Sequence, residues 1–166
     1  MVDELLLRMD RWLSEQRADY YSSLLPGASE SLLADFEDRF SLRLPEDFRA
    51  LYRWRNGQAR NEFASLQENW GFSPLETIAQ AKTTLDEMIG HDFDDPGWWR
   101  RGWVPFLANG GGDHLCLDLD AESGATFGHV ICFWHDDEDR DVEFQSVADW
   151  LRELVTSMES GSLELA

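Results

Sequence analysis

The sequence predicts a single α+β domain, because the spacing of its apolar residues changes along the chain. Up to Gly90 the apolar residues recur every three or four positions, as on amphipathic helices. From Trp103 they alternate with polar residues, as in half-buried strands, and after Ser146 the helical spacing returns. A length of 166 residues suits one domain with its own core. We therefore expect an antiparallel meander sheet packed by N-terminal helices and by a closing C-terminal helix.

Three helices are predicted in the first third of the chain. The first covers residues 3–17, and Ser29 is a candidate N-cap for the second. Pro45 suits the first turn of the third helix, where a missing N–H has no cost. Asn56 and Gly57 are expected to end this helix, because both tolerate the left-handed backbone that closes helices.

A fourth helix is predicted to begin at a capping signal. Ser73 is a candidate N-cap, Pro74 fits the first helical position, and Glu76 can complete a capping box. Gly90 is expected to end this helix. The following residues 91–102 read as a loop.

Four strands and a last helix are predicted in the remainder. Ser146, with Asp149 three residues later, is the candidate cap of the closing helix. The strands are separated by turn-forming residues and cover residues 103–107, 113–119, 126–134 and 141–145.

Three consecutive glycines, Gly110, Gly111 and Gly112, raise the question of a phosphate-binding loop. A P-loop needs a lysine and a hydroxyl after its last glycine, and a dinucleotide-binding loop connects a strand with a helix. Here Asp113 follows, which would repel a phosphate, and the glycines lie between two predicted strands. We therefore expect Asn109 and the glycines to form a hairpin turn between antiparallel strands.

The net charge of −19 is the most unusual property of the composition. A chain this acidic repels nucleic acids and anionic lipid surfaces, whose binding depends on Lys and Arg side chains. It attracts basic proteins and accelerates encounters with them. Acidic composition also serves solubility alone, so both interpretations stay open.

The sequence is expected to belong to a cytoplasmic protein without a membrane segment. Residues 1–12 place acids before their apolar positions and lack the apolar stretch of a signal peptide. No apolar run approaches the roughly 20 residues that span a bilayer. Cys116 and Cys132 lie in alternating apolar runs, so we expect buried thiols and no disulfide framework.

The most acidic segment, residues 135–141, falls between two predicted strands. It lacks the glycine and closing Glu of an EF-hand, and it differs from the zinc motif H-E-x-x-H. A solvated turn, a partner-facing surface and a metal site are the three interpretations, and we expect neither metal nor cofactor. The candidate partner-binding acids are Asp113, Asp118, Asp120, Asp136, Asp137, Glu138, Asp139 and Asp141.

A catalytic site is not expected from the alternating residues His114, Cys116 and Asp118. They share one face of a strand, which invites comparison with a Cys–His nucleophile. Side chains two positions apart stand side by side, however, and no third group is evident to orient the pair.

The pair Trp98-Trp99 precedes two arginines and has two interpretations. Stacking on a nucleobase is disfavoured by the net charge. We expect one ring to fill the core and the other to lie at the surface, and Trp99 is the candidate aromatic anchor for a partner.

Several short segments, taken in order, resemble one known family. They are residues 44–48 (LPEDF), 56–57 (NG), 72–76 (FSPLE), 103–106 (WVPF), 110–113 (GGGD), 116–118 (CLD) and 128–136 (GHVICFWHD). Their order and spacing resemble the SUKH superfamily, in the branch named after the fungal cell-wall (glucan) synthesis regulator. Residues 91–101 depart from the family pattern.

The resemblance implies one SUKH-like domain over residues 1–166, with its core at about 28–155, and a non-enzymatic protein-binding scaffold. Many bacterial members resemble immunity proteins that bind and neutralise a toxin domain, often a nuclease. An acidic protein suits this role, because a nuclease exposes a basic, phosphate-binding cleft. An immunity protein that binds a basic toxin is therefore the first hypothesis, a regulatory adaptor the second, and a small hydrolase or metal-dependent enzyme the third. The oligomeric state stays open.

Overall fold

The computed structural model describes residues 1–166 and contains six helices and seven strands. The helices are α1 (Val2–Gln16), α2 (Ala18–Ser22), α3 (Glu30–Phe40), α4 (Glu46–Trp54), α5 (Leu75–Met88) and α6 (Val147–Ser160). The strands are β1 (Leu24–Pro26), β2 (Arg55–Gln58), β3 (Gly71–Phe72), β4 (Trp103–Ala108), β5 (His114–Asp118), β6 (Val130–Phe133) and β7 (Val142–Phe144). No helix combines the length and apolarity needed to cross a membrane.

The main sheet is the antiparallel meander that the sequence predicts. Its five strands lie in chain order, from β3 to β7, and every neighbouring pair is antiparallel. The register pairs Leu117 with both Val104 of β4 and Val130 of β6. A separate two-stranded sheet, formed by β1 and β2, has no counterpart in the predictions. The α+β class is therefore confirmed.

The larger core lies on one face of this sheet. Alternate strand residues such as Leu115, Leu117 and Val130 point to it, as the period of two requires. The buried stripes of α4 and α6 pack into this core, and α1 packs against both helices, because apolar residues at helical spacing form one face of each helix. Phe106 meets Trp150 of α6 edge-to-face, with ring centroids 5.4 Å apart.

The opposite face carries a smaller apolar cluster. Trp103, Cys116, Ile131 and Phe133 point to this face, and the end of α5 and the loop that follows cover them. Lys82 of α5 is fully buried beneath the cover. Desolvation lowers the pKa of Lys82, although its ion pair with Asp86 at 3.2 Å opposes that shift.

The predicted caps of two helices are confirmed. Ser29 Oγ accepts a hydrogen bond from the Leu32 amide at 3.1 Å, and Ser146 Oγ accepts one from the Asp149 amide at 3.0 Å. Pro45 lies one position earlier than predicted. It is the N-cap residue of α4 rather than part of its first turn.

The prediction that Asn56 and Gly57 end a helix is wrong. The helix α4 already ends at Trp54, and Arg55 is extended, because these residues enter β2 and pair with β1. Gly57 does adopt a left-handed backbone, with φ of 76°. A Cβ at this position would lie only 2.3 Å from the Pro74 nitrogen, so close approach of two backbones requires the glycine.

The start of α5 also differs from its predicted capping box. The helix begins at Leu75, Pro74 is its N-cap residue, and no side chain of this local segment caps it. The cap comes from Asn56, whose Oδ1 accepts a hydrogen bond from the Leu75 amide at 2.9 Å. Ser73 is buried and its carbonyl accepts a hydrogen bond from a tyrosine hydroxyl, while Glu76 is exposed. Asn56 thus stabilises the next helix along the chain.

Candidate protein-binding surface

The predicted surface acids separate to the two ends of the five-stranded sheet. Asp113 precedes β5, and residues 135–141, which we call the acidic turn, connect β6 to β7 at the same end. Asp118 and Asp120 lie at the other end of β5. The candidate partner-binding acids therefore form two groups, which are separated by the length of β5.

Asp118 is a structural carboxylate, with only 1% of its surface exposed. Its Oδ1 accepts hydrogen bonds from the Asp120 amide at 3.0 Å and from Ser123 Oγ at 2.7 Å. Its Oδ2 accepts one from Thr126 Oγ1 at 2.7 Å. Asp120 in turn accepts a hydrogen bond from the Gly102 amide at 3.1 Å. These contacts hold the loop before β6, which explains why that strand is shorter than predicted, and they correct the partner-facing role of Asp118.

The glycine turn connects β4 to β5 as predicted, and the two strands are antiparallel. Asn109 organises it: its Oδ1 accepts hydrogen bonds from the Gly111 amide at 2.8 Å and the Asp113 amide at 3.2 Å. Gly110 and Gly112 have positive φ angles of 77° and 101°. The chain therefore needs glycine at these two positions for its conformation.

The Asp113 side chain connects the glycine turn to the acidic turn through hydrogen bonds with His135. Its Oδ1 accepts two hydrogen bonds from His135, from the backbone amide at 2.8 Å and from the ring Nδ1 at 2.7 Å. Burial opposes ionisation of Asp113, but the hydrogen bonds from His135 and Asn109 together outweigh burial and lower the pKa of the carboxyl group. The bond to Asp113 raises the pKa of His135.

Asp113, His135 and Asp136 are also the residues whose chemistry suits a divalent cation. Their ligand atoms all lie within 4.8 Å of one another. His135 Nδ1 lies 2.7 Å from Asp113 Oδ1, so two of these three candidate ligands are already hydrogen-bonded to each other.

The acidic turn keeps its only arginine on its inner side. Arg140 donates through Nε and Nη2 to the Trp98 carbonyl at 3.1 and 2.9 Å, and its guanidinium lies 4.6 Å from the centroid of the Phe133 ring. Arg140 also donates to two carbonyls of the turn itself. No carboxylate of the turn forms an ion pair with Arg or Lys. The exposed, uncompensated acids are Asp136, Asp137, Glu138, Asp139 and Asp141.

Trp99 is buried, with 1% of its surface exposed, so its predicted role as a surface anchor is corrected. Its ring packs edge-to-face on Trp103 and Phe133, with centroids 5.4 and 5.2 Å away. Its Nε1 donates to Asp86 Oδ1 at 2.8 Å. Trp98 is the half-buried ring of the pair, as one of the two was expected to be.

His114 and Cys116 lack the ionisation states of a Cys–His nucleophile. Burial lowers the pKa of His114 to about 4 and raises the pKa of the Cys116 thiol well above its usual range. The imidazole is therefore neutral and the thiol protonated at neutral pH. Cys116 and Cys132 are both buried free thiols, as predicted.

A cavity of about 190 Å³ beside the acidic turn has no counterpart in the sequence analysis. Trp134, immediately before the turn, and Glu143, shortly after it, line the cavity together with Glu68 and Trp70. Trp134 and Glu143 flank the acidic turn in the sequence, and this position is a signal by which both residues could have been identified as part of the surface. Glu68 and Trp70 belong to a loop without periodicity, so nothing in the sequence indicates that they line this cavity.

Comparison with known proteins finds a matching family model and fungal relatives. A sequence model of the SMI1 / KNR4 family (SUKH-1) matches residues 27–153. The chain is 26% identical to the cell wall biosynthesis/cell cycle regulator smi1 of Schizosaccharomyces pombe, over 96% of this chain and 36% of that protein. It is 22% identical to the glucan synthesis regulatory protein of Neurospora crassa, over 93% of this chain and 38% of that protein. The chain thus spans little more than a third of the length of these relatives.

Proposed function

This chain belongs to the SMI1 / KNR4 family (SUKH-1), and from that premise we propose that it is a non-catalytic, protein-binding domain of regulatory or adaptor type. The relatives it matches are named as regulators of cell-wall or glucan synthesis. The observation that carries the proposal is the acidic turn, in which five exposed carboxylates have no cationic partner. Such a surface meets a basic protein.

Electrostatics supports a basic partner in particular. The chain has 33 acidic residues against 14 Lys and Arg, and the one arginine in the acidic turn donates its hydrogen bonds to backbone carbonyls and not to a carboxylate. A surface of one sign steers a partner of the opposite sign and speeds association. Nucleic acid and anionic membranes are repelled by the same charge.

The finer proposal is an immunity protein, whose partner is a basic toxin domain such as a nuclease. An acidic turn that enters a phosphate-binding cleft would occupy the place of the nucleic acid and block catalysis. The regulatory adaptor is the second candidate, favoured by the names of the fungal relatives. The two roles differ in one observable, namely whether binding abolishes an enzymatic activity of the partner.

Site-specific cross-linking from the acidic turn tests the proposal. A photoreactive benzoylphenylalanine replaces Glu138 in the full chain, and a matched variant carries it at Glu15, an exposed acid of α1. Irradiation in the native cells should yield a cross-linked basic protein from position 138 and not from position 15. Mass spectrometry identifies that protein, and an assay of its activity with and without this chain separates immunity from adaptor.

If position 138 gives no cross-linked protein, or gives the same products as position 15, the acidic turn is a solvated loop. The protein-binding role would then belong to another surface.

A further inference from the structure

The cavity beside the acidic turn has the composition of a cation-binding site. It is lined by two indole rings, by the carboxylates of two exposed glutamates, which we call its rim, and by buried apolar side chains. No Lys or Arg lines it. The residues that line it are Gln67, Glu68, Trp70, Leu115, Cys132, Trp134, Glu143 and Phe144.

The indole rings of Trp70 and Trp134 form the aromatic wall. Their centroids lie 6.2 Å apart and their planes are tilted by 43°. Trp70 is 6% exposed and therefore fixed in the core, whereas Trp134 is half-buried at the cavity edge. The face of an indole ring is electron-rich and attracts Lys, Arg and ligand cations more strongly than other aromatic rings do.

The carboxylates of Glu68 and Glu143 form the rim, and neither belongs to any ion pair of the molecule. Burial raises the pKa of Glu143, and the negative charges of Asp141 and Glu68 raise it further. Two acids that share a cavity without a counter-charge are a source of repulsion that a bound cation would remove.

The backbone holds Glu68 in place at this rim. Its φ of 50° is left-handed, which is uncommon for a residue other than glycine. Two hydrogen bonds maintain it: the Glu68 amide donates to the Glu164 carbonyl at 2.6 Å, and the Ala166 amide donates to the Glu68 carbonyl at 2.8 Å. The rim carboxylate thus starts from a fixed point of the main chain.

We propose that this cavity binds an arginine side chain of the basic partner, with its guanidinium against Trp134 and its N–H groups directed to Glu68 and Glu143. The partner itself rests on the proposed function. Arginine fits better than lysine, because a planar guanidinium stacks on an indole while its in-plane donors reach carboxylates at the side. Trp134 and Glu143 flank the acidic turn, so the cavity would supply the buried anchor and the turn the charged rim of one interface.

A capped tripeptide, acetyl-Gly-Arg-Gly-amide, is the probe that tests the cavity without any partner. It is titrated into the full chain while the indole N–H signals are followed by NMR. The Trp134 signal, assigned through a Trp134→Phe variant, should shift and saturate. The same peptide with citrulline, which keeps the shape but lacks the charge, should leave it unshifted, and a lysine peptide should bind more weakly.

Matched variants of two exposed acids locate the effect. Glu143→Gln should weaken arginine-peptide binding about tenfold, because it removes one charge-assisted hydrogen bond. Glu15→Gln makes the same charge change on α1, outside the cavity and the acidic turn, and should leave the affinity within about twofold. Both residues are exposed, so both variants should fold.

Equal shifts with the arginine and citrulline peptides, or equal affinities for the two variants, would overturn the proposal, and stronger binding of the lysine peptide would overturn the choice of arginine. These results are independent of the cross-linking from Glu138. A cavity that binds the peptide while the turn captures no partner would refute the proposed function alone. A turn that captures a basic partner while the cavity ignores the peptide would refute the cavity alone.

Discussion

The two ends of the five-stranded sheet use the same residue type, aspartate, in opposite ways. At one end Asp118 is buried and accepts hydrogen bonds from Ser123, Thr126 and a backbone amide. At the other end the acidic turn exposes Asp136 and its neighbours without a cationic partner. A buried carboxylate needs partners for all its lone pairs, whereas an exposed one is hydrated. The role of an aspartate therefore depends on what its loop brings to it.

The largest effect is expected from removal of the buried carboxylate. Asp118→Ala leaves two hydroxyls and an amide without their acceptor, and it should lower the free energy of unfolding by about 4 kcal/mol. Asp118→Asn keeps one carbonyl acceptor and should cost less. Urea denaturation of the two variants checks this order. A cost below about 1 kcal/mol for Asp118→Ala would mean that the loop is not held by this residue.

The next effect concerns His114, which begins the strand that Asp118 ends. Burial lowers its pKa to about 4 from an ordinary 6.5. As pH falls below about 6.5, the His114 imidazole is protonated in the unfolded chain but stays neutral in the folded chain. The free energy of unfolding therefore declines as pH falls, until about pH 4. The loss from this group should reach about 3 kcal/mol.

A His114→Gln variant isolates this contribution. Its free energy of unfolding, measured by urea denaturation across the same pH range, should fall less steeply than that of the parent. Identical slopes in the two proteins would show that His114 is solvated and protonates normally.

A smaller effect is expected at the contact between the glycine turn and the acidic turn. The hydrogen bond from His135 to Asp113 raises the pKa of His135, so its contribution to stability is present below the ordinary value and is lost as pH rises through the folded value. An NMR titration of the His135 ring should give a pKa above 6.5 in the parent. Asp113→Asn should return it towards the ordinary value, and an unchanged pKa would exclude the contact.

The smallest effect on stability is expected from the acidic turn itself. Replacement of Asp136, Asp137 and Asp139 together by Asn should change the free energy of unfolding by no more than about 1 kcal/mol, because exposed groups without ion pairs contribute little. Thermal or urea denaturation measures this change. A loss as large as that of Asp118→Ala would remove the distinction between the two ends of the sheet.

The parts of the fold that depend on local spacing could be predicted from the sequence. The alternation of residues 113–119 predicts the central strand, and Ser29 and Ser146 are recognisable as caps because their partners lie three residues away. The cap that Asn56 provides is not predictable from local spacing, because the helix it caps begins 19 residues later, at Leu75. Contacts of this kind depend on the path of the chain, which residue spacing does not record.

The candidate surface is predictable from the sequence only where it depends on local residue spacing. The exposed acids of residues 135–141 could be identified as a turn from their sequence, but Asp118 could not be told apart from them. Of its two hydroxyl partners, Thr126 belongs to a segment predicted as strand and Ser123 to the residues just before it. The burial of Trp99 is not predictable from local spacing, because Asp86, which accepts the hydrogen bond of its indole N–H, lies on a helix 13 residues earlier. The cavity at Glu68 required the complete fold.

The most direct test of the account is the association rate with the partner that cross-links to the acidic turn. The variant with Asn at positions 136, 137 and 139 is compared with the parent and with a control of equal charge change, Glu15→Gln, Asp35→Asn and Asp38→Asn, at exposed positions of α1 and α3. Rim charges act mainly on association, so the turn variant should associate several-fold more slowly, and its rate should depend less on salt. The control should stay closer to the parent in both respects. Equal rates and equal salt dependence in the turn variant and the control would contradict the central claim, because net charge alone would then explain binding.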